Sequence, residues 1–440
     1  MYMEMKGRLI MKKLDIQYYT LMLGIILFMS ILPVLHIGNY SFPTLYLVLP
    51  IGALVLSFTL ISKIQLPKVT YFIMLFFSLI IIEILISNIY ASITMLDKFI
   101  LPTDSLQYIT RLLVFISFML VFYKGKLEPD IFIKYFLVIL NLGMLIGILQ
   151  WLPWVGREFF IKLYPFRDGV EQLSHLNRPL HLIRVHGLAQ HATGNGGLAT
   201  FFFIFGYSVF KYYKKYSVLS ISLMILSVLN IFASQARAGI LALVFSLFLF
   251  YILDININKM NRKTVFNAIL IVAGIFLIVW ILYIFGNPFI NHMVYRWKDL
   301  FNTSGGPRVE QAKYFFSLFK TPFHYLFGLS KPVVNQSDIS YGVEIEPINI
   351  FILYGAIGFI LQYTLIIGLA VYFIKRIKQA INNKAVFTLL IASFTGLISY
   401  QVFSVAYFFF REIRVGLFPW ILMGVSIGVY ERFKQKGVVS

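Results

Sequence analysis

Arg237 stands at the head of a long apolar run, in IFASQARAGILALVFS, where hydrocarbon is a poor solvent for a guanidinium. An arginine that only anchors a helix at the membrane interface keeps its stem on apolar surface and its head in water. Ser234, Ala238 and Gly239 are instead small and leave the guanidinium uncovered. A second arginine, Arg308, follows SGG and Pro307. Proline suits the first position of a helix, and Val309, Ala312, Phe316 and Phe319 then recur at helical spacing. The spacing predicts an amphipathic helix over about 307–320 lying on the membrane surface. A guanidinium in its first turn either points to water or joins the free N–H groups of the helix start in an anion site. The stretch GVEIEPINIFILYGAIG (342–358) places Glu344 and Glu346 just before a further apolar run and Asn349 one turn inside it. Glu346 could simply favour the helix N-terminus, worth about 0.3–1 kcal/mol. Held opposite the arginines, either carboxylate could instead act as a general base.

Two other groups of residues invite chemistry. His175, His181, His186 and His191 are separated by six, five and five residues, which fits no single helical face, and zinc sites usually pair close ligands. No metal and no cofactor is therefore expected. Glu83 lies inside an apolar segment and is a functional candidate by its position alone, or a partner for an arginine.

The elements that position these residues follow from composition. The 440 residues are 59% hydrophobic and only 13% charged, with mean hydropathy +0.82. Soluble domains carry about a quarter charged residues, so the chain is expected to be membrane protein throughout. Twelve apolar stretches are long enough to span a bilayer, near 17–36, 43–62, 69–92, 106–123, 130–151, 192–210, 217–234, 238–254, 264–285, 347–373, 385–404 and 414–430. The basic start MKGRLIMKK leads directly into the first, which reads as a retained span and not as a cleaved signal. The expected fold is all-α, one polytopic membrane domain over 1–440.

Charge gives the expected orientation. With both termini cytoplasmic, 22 of the 38 basic residues fall on cytoplasmic loops and tails, as the positive-inside rule requires. The net charge of +20 then concerns topology, and nucleic acid is not an expected partner. Two long loops face outward, 152–191 and 286–346. Lysine outnumbers arginine 18 to 4 on the inner side, whereas the outer side carries ten arginines and six lysines. Lysine suffices for topology, while the fork of arginine suits phosphate, so the outer face is expected to bind a phosphorylated ligand.

Together these segments resemble the O-antigen ligase and polymerase family of bacterial envelopes. SQARAG (234–239) resembles that family's S-x-S-R-x-G helix start, with Ala236 in place of the second serine. GGPRVEQAKYFFSLFKTPFHYLFG resembles its R-x-x-x-W segment and the following P-x-x-x-x-G turn, with Tyr314 near the aromatic position but not on it. EPINIFILYGAIGFI resembles its H-N-x-Y-L…G-x-x-G helix start, and RVHGLAQHATGN its R-x-x-G-x-x-x-x-P-N segment. The motifs cover roughly 180–370. The resemblance implies a GT-C-like architecture and metal-independent glycosyl transfer at the outer face of a bacterial plasma membrane. The donor it implies is an undecaprenyl-diphosphate-linked glycan, with Arg237 and Arg308 on the diphosphate. Arg184, Asn195 and Asn349, with the outer arginines Arg411 and Arg414, are the candidates for binding substrate.

Ligases of that family carry histidine where this chain offers Glu344 or Glu346. The departure favours a repeat-unit polymerase for capsule, exopolysaccharide or O-antigen, with Glu346 as base because Pro347 and the helix start fix its position, Glu344 being the alternative. Membrane lipids, a chain-length regulator and a flippase are the partners this implies. A ligase passing glycan to lipid or protein is one alternative, and a polysaccharide flippase is another. Transporters usually show internal repeats and broken midplane helices, whereas the polar residues here gather in two loops.

Overall fold

The computed structural model describes residues 30–37, 40–47, 49–53, 65–96, 98–100, 102–125, 127–164, 178–258, 280–302, 308–339, 342–408 and 412–438, with residues 24, 173 and 277 singly. It is an all-α fold; the only strands among the described residues are the hairpin β1 (Val34–Ile37) and β2 (Tyr40–Pro43). The long helices in chain order are α1 (Lys68–Thr94), α2 (Thr103–Lys124), α3 (Pro129–Trp151), α5 (Ala192–Ser208), α6 (Ser217–Ser234), α7 (Arg237–Asn258), α12 (Glu346–Gln379), α13 (Lys384–Phe403) and α14 (Ile413–Gln435). Short helices lie between them: α4 (Arg157–Leu163), α8 (Pro288–Asn302), α9 (Arg308–Ser317), α10 (Pro322–Phe327) and α11 (Lys331–Gln336).

Seven of the described helices, α1, α2, α3, α6, α7, α12 and α13, are long and apolar enough to cross a membrane. Nine of the twelve expected spans coincide with long helices. The other three, near 17–36, 43–62 and 264–285, fall largely outside the described residues. The described end of the first runs into β1, a strand where a helix was expected, and β1 pairs with β2 in the interval before the second expected span. Pro33 and Pro43 bracket that hairpin, and proline resists helix continuation.

Small residues set the packing. Gly424 and Gly428, one turn apart on α14, lie against α2, where a Cβ would come within 2.6 Å of the Phe115 carbonyl and 2.4 Å of the Met119 carbonyl. Without a hydrophobic drive between helices in lipid, such backbone-to-backbone approach is a main source of association. Around this contact the aromatic core includes Trp420, Phe115, Phe118, Phe136, Phe202 and Phe418, all essentially solvent-free. α5 packs on both α6 and α7, and the α6–α7 connection that results carries Arg237.

Candidate functional site

The α6–α7 connection is made by two residues. α6 ends at Ser234, Gln235 adopts a left-handed conformation (φ +52°), and α7 begins at Arg237. Ala236 is buried against Gly196 of α5, so a bulkier side chain there would meet backbone. The preceding stretch of the long loop runs alongside: Val185 N–H donates to the Ala233 carbonyl at 3.0 Å, and Arg184 Nε donates to the Ser234 carbonyl at 3.4 Å. Gln235 secures both neighbours, its amide donating to the His181 carbonyl at 2.6 Å while its own carbonyls accept from Arg296 of α8 at 3.0 and 3.2 Å. Arg237 Nη1 in turn donates to the Arg296 main-chain carbonyl.

Arg308, on a separate element, acts electrostatically on Arg237. It opens α9, and its Nη2 pairs with Glu344 at 2.9 Å. The same nitrogen lies 3.5 Å from the Ala406 carbonyl, and its Nε is buried with no hydrogen-bond partner among the described residues. The described helix is Arg308–Ser317, shorter than the expected 307–320 because Thr321 starts a new one: Thr321 and His324 form a capping box for α10. α10 is clamped to the start of α12 by two glycines. Gly355 breaks α12 (φ +63°), and a Cβ there would meet the Leu326 carbonyl at 2.2 Å; Gly328 (φ +76°) lies equally close to the Leu353 backbone. Only glycine tolerates both that conformation and that proximity. The Ile352 and Leu353 carbonyls beside the break accept from Leu329 and Ser330 N–H at 2.8 and 3.0 Å. The loop bearing Arg308 is therefore bonded to the helix that Glu344 precedes.

The two elements meet electrostatically. Arg237 feels Arg308, Asp299 and Glu344, and Arg296 feels Arg184, Arg237 and Asp299. Burial first, and then these two guanidiniums, push Arg296 down to about 10. Among the described residues, Arg184, Arg237, Arg296 and Arg308 set against Asp299 and Glu344 give a net charge of +2. Carbonyl acceptors hold guanidiniums that would otherwise repel one another.

The remaining expected site residues are placed as follows. Arg184 joins the cluster and also donates to Thr193 Oγ1 at 3.2 Å. Glu344 lies on Arg308, while Glu346 is buried and acts electrostatically on Arg111, Tyr108 and Tyr363 within the bundle. Asn349 closes the turn before α12 by accepting from Val343 N–H at 3.3 Å. Asn195 is fully buried and ties the long loop to α6, donating to the Val185 carbonyl and to Asn230 Oδ1, both at 3.2 Å. Arg414 is buried on the Leu188 and Leu32 carbonyls and over the Tyr164 ring. Arg411 and His175 lie outside the described residues. Glu83 is buried against Gly358 of α12. Among the described residues no three His, Asp or Glu side chains gather as a metal site would require.

Sequence reasoning did not single out Gln235, Asp299 or Glu412. Glu412 precedes α14 and is buried; it accepts from Gln190 N–H and, at 2.9 Å, from Tyr407 O–H. Burial pushes its carboxyl up to about 7 against the opposing effects of those two donors and of Arg414. His191 stacks on Tyr407 with ring centroids 5.9 Å apart, and Tyr407 adjoins Ala406, whose carbonyl lies by Arg308. No protein-family model matches the chain, and no curated protein matches it.

Proposed function

We propose that this protein is a metal-independent glycosyltransferase that uses a lipid-diphosphate-linked glycan as donor at the outer membrane face and joins it to a second lipid-linked oligosaccharide. The observation that carries the reading is the cluster of four arginines and two carboxylates, +2 among the described residues, gathered from the long loop, the start of α7, α8, the start of α9 and the approach to α12. A diphosphate diester carries two negative charges, so it matches that excess, and the arginine fork suits its oxygens. An undecaprenyl diphosphate sits where such a cluster at a helix mouth can meet it.

In this reading the acceptor hydroxyl attacks the anomeric carbon, a glycosidic bond forms, and the bond from that carbon to the phosphate oxygen breaks. The lipid diphosphate leaves with added negative charge, which fixed guanidiniums stabilise without reorganising. The hydroxyl proton passes to a carboxylate. Glu344 suits that role better than Glu346: it already lies on Arg308, its side chain is 37% exposed, and a phosphate competing for Arg308 frees it. Glu346 is instead buried, where its charge acts on Arg111.

The test is transfer measured with a lipid-diphosphate oligosaccharide in proteoliposomes. Glu344→Gln is expected to slow transfer by about 10²–10⁴ while donor still binds, and Glu346→Gln to slow it less. Normal transfer by the Glu344 variant removes the assigned base.

A further inference from the structure

The cluster includes one arginine, Arg296, carried by α8, which also packs on the Leu180–Leu182 turn. α8 is capped by Asn287, whose Oδ1 accepts from Phe289 and Ile290 N–H at 3.1 and 3.3 Å. Phe289, His292 and Arg296 carry contacts that join it to the rest of the protein. Phe289 meets Trp151 and Phe232 edge-on, at 6.3 Å in each case. His292 lies 6.2 Å from the His181 ring, and Arg296 is bonded to Gln235. With Asp299 these positions line one helical face at spacings of three and four; Tyr295, on another face, is 65% exposed. One end of α8 is thus held by an aromatic contact. The other is held by a guanidinium set among guanidiniums, with Arg184 and Arg237 as neighbours.

That arrangement opposes itself. Arg237 donates to the Arg296 main chain, and Arg296 donates to Gln235, so hydrogen bonds draw together groups whose charges repel. An anion between the guanidiniums reverses the sign of the net interaction. We propose that Arg296 is a diphosphate-binding residue, and that α8 is a cover whose docking on the α6–α7 connection is completed by the bound diphosphate. This rests on the reading of the cluster as a lipid-diphosphate site and adds a ligand residue and a moving element to it. Anion binding and closure are then one event: the donor shuts its own site, excluding water from a reaction that hydrolysis would waste.

The experiment uses the full chain in nanodiscs, with inorganic diphosphate and undecaprenyl diphosphate as separate probes. Hydrogen exchange of the peptide covering 288–302 is followed by mass spectrometry, beside the affinity for each probe. Both probes are expected to slow exchange in α8, the lipid-linked one at lower concentration if the isoprenoid adds binding. Arg296→Gln is expected to weaken diphosphate binding by about 10- to 100-fold, the range for a hydrogen bond to a charged group, and to abolish the protection even at saturating probe. Arg296→Lys should keep part of both, since lysine retains the charge without the fork. Unchanged α8 exchange at saturating diphosphate in the natural chain overturns the cover. Affinity for diphosphate within twofold of normal in Arg296→Gln overturns the ligand role. If Arg237→Gln and Arg308→Gln lose diphosphate binding while Arg296→Gln keeps it, this inference fails alone; if none of the three loses it, the reading of the cluster fails as well.

Discussion

Glu412 gives the sharpest physical test of the region around the cluster. Its carboxyl is buried between the long loop and α14, with Gln190 N–H and Tyr407 O–H as donors, and burial raises it from 4.5 to about 7. The folded protein therefore holds this proton more tightly than the unfolded chain does. Below pH 4.5 both states are protonated and the group costs nothing. As pH rises from about 4.5 to 7, the unfolded chain ionises while the folded protein does not, so stability falls; above 7 both are ionised and the full cost is present. A rise of this size, at 1.36 kcal/mol per pH unit, corresponds to about 3 kcal/mol. Glu412→Gln mimics the protonated form, since its amide can accept from Gln190 and donate to Tyr407. The stability of the natural protein relative to this variant is expected to decline by about 3 kcal/mol between pH 4.5 and 7 and then stay level. Urea unfolding in a mild detergent at matched pH values measures it, and the difference between the two proteins cancels other titrating groups. A pH-independent difference, or one that favours the natural protein as pH rises, would refute the argument from burial.

Other outcomes follow from the same geometry. Arg237→Ala and Arg308→Ala are each expected to lose about 2.7–4 kcal/mol of transition-state stabilisation, a 10²- to 10³-fold loss of transfer, with protein still inserted in the membrane; lysine at either position should restore only part, read as polymer length on gels. Gly355→Ala is expected to destabilise the protein and reduce transfer together, because a methyl group at φ +63° meets the Leu326 carbonyl; a thermal midpoint equal to that of the natural chain contradicts the clamp. Transfer is expected to survive EDTA, since guanidiniums carry the diphosphate charge in this reading, and loss of activity restored by magnesium or manganese argues against it.

How much of this was legible in the sequence depends on the kind of residue. The long helices were legible because apolar length alone specifies them: 130–151 and 217–234 were expected, and Pro129–Trp151 and Ser217–Ser234 are found. β1 and β2 were not, because a short apolar hairpin and a span end have the same composition. Arg237 and Arg308 drew notice as charges at the edges of apolar runs. Gln235 and Asp299 carried no such signal. Gln235 matters through a left-handed backbone and bonds to residues 52 to 61 positions away, and no local pattern encodes those partners. Glu344 and Glu346 show the limit most clearly. Two positions apart, they are equivalent in an extended segment, yet α12 begins at the second and their surroundings differ: Glu344 pairs with Arg308, whereas Glu346 is buried and acts on Arg111.

The division between those carboxylates also explains how a self-repelling cluster can exist at the end of an apolar bundle. A lone pair of arginines there would be held by carbonyls alone, and their mutual repulsion would favour opening. Glu344 offsets one guanidinium directly, and Asp299 offsets part of the field at Arg237 and Arg296. Full compensation would build a closed ion-pair network with nothing left to attract a ligand. Two carboxylates against four guanidiniums lie between these limits, easing the repulsion while leaving a positive field for the proposed dianion. On this argument, Asp299→Asn raises the excess charge and should strengthen diphosphate binding at the cost of weaker α8 docking in its absence. Substituting an acid for the neutral Gln235 should do the opposite: Gln235→Glu places a carboxylate on Arg296, fixes α8 without ligand, and weakens diphosphate binding. Opposite signs for the two variants, in binding and in α8 exchange alike, are what a balance of charge requires; equal signs would mean that packing, not charge, holds the cluster.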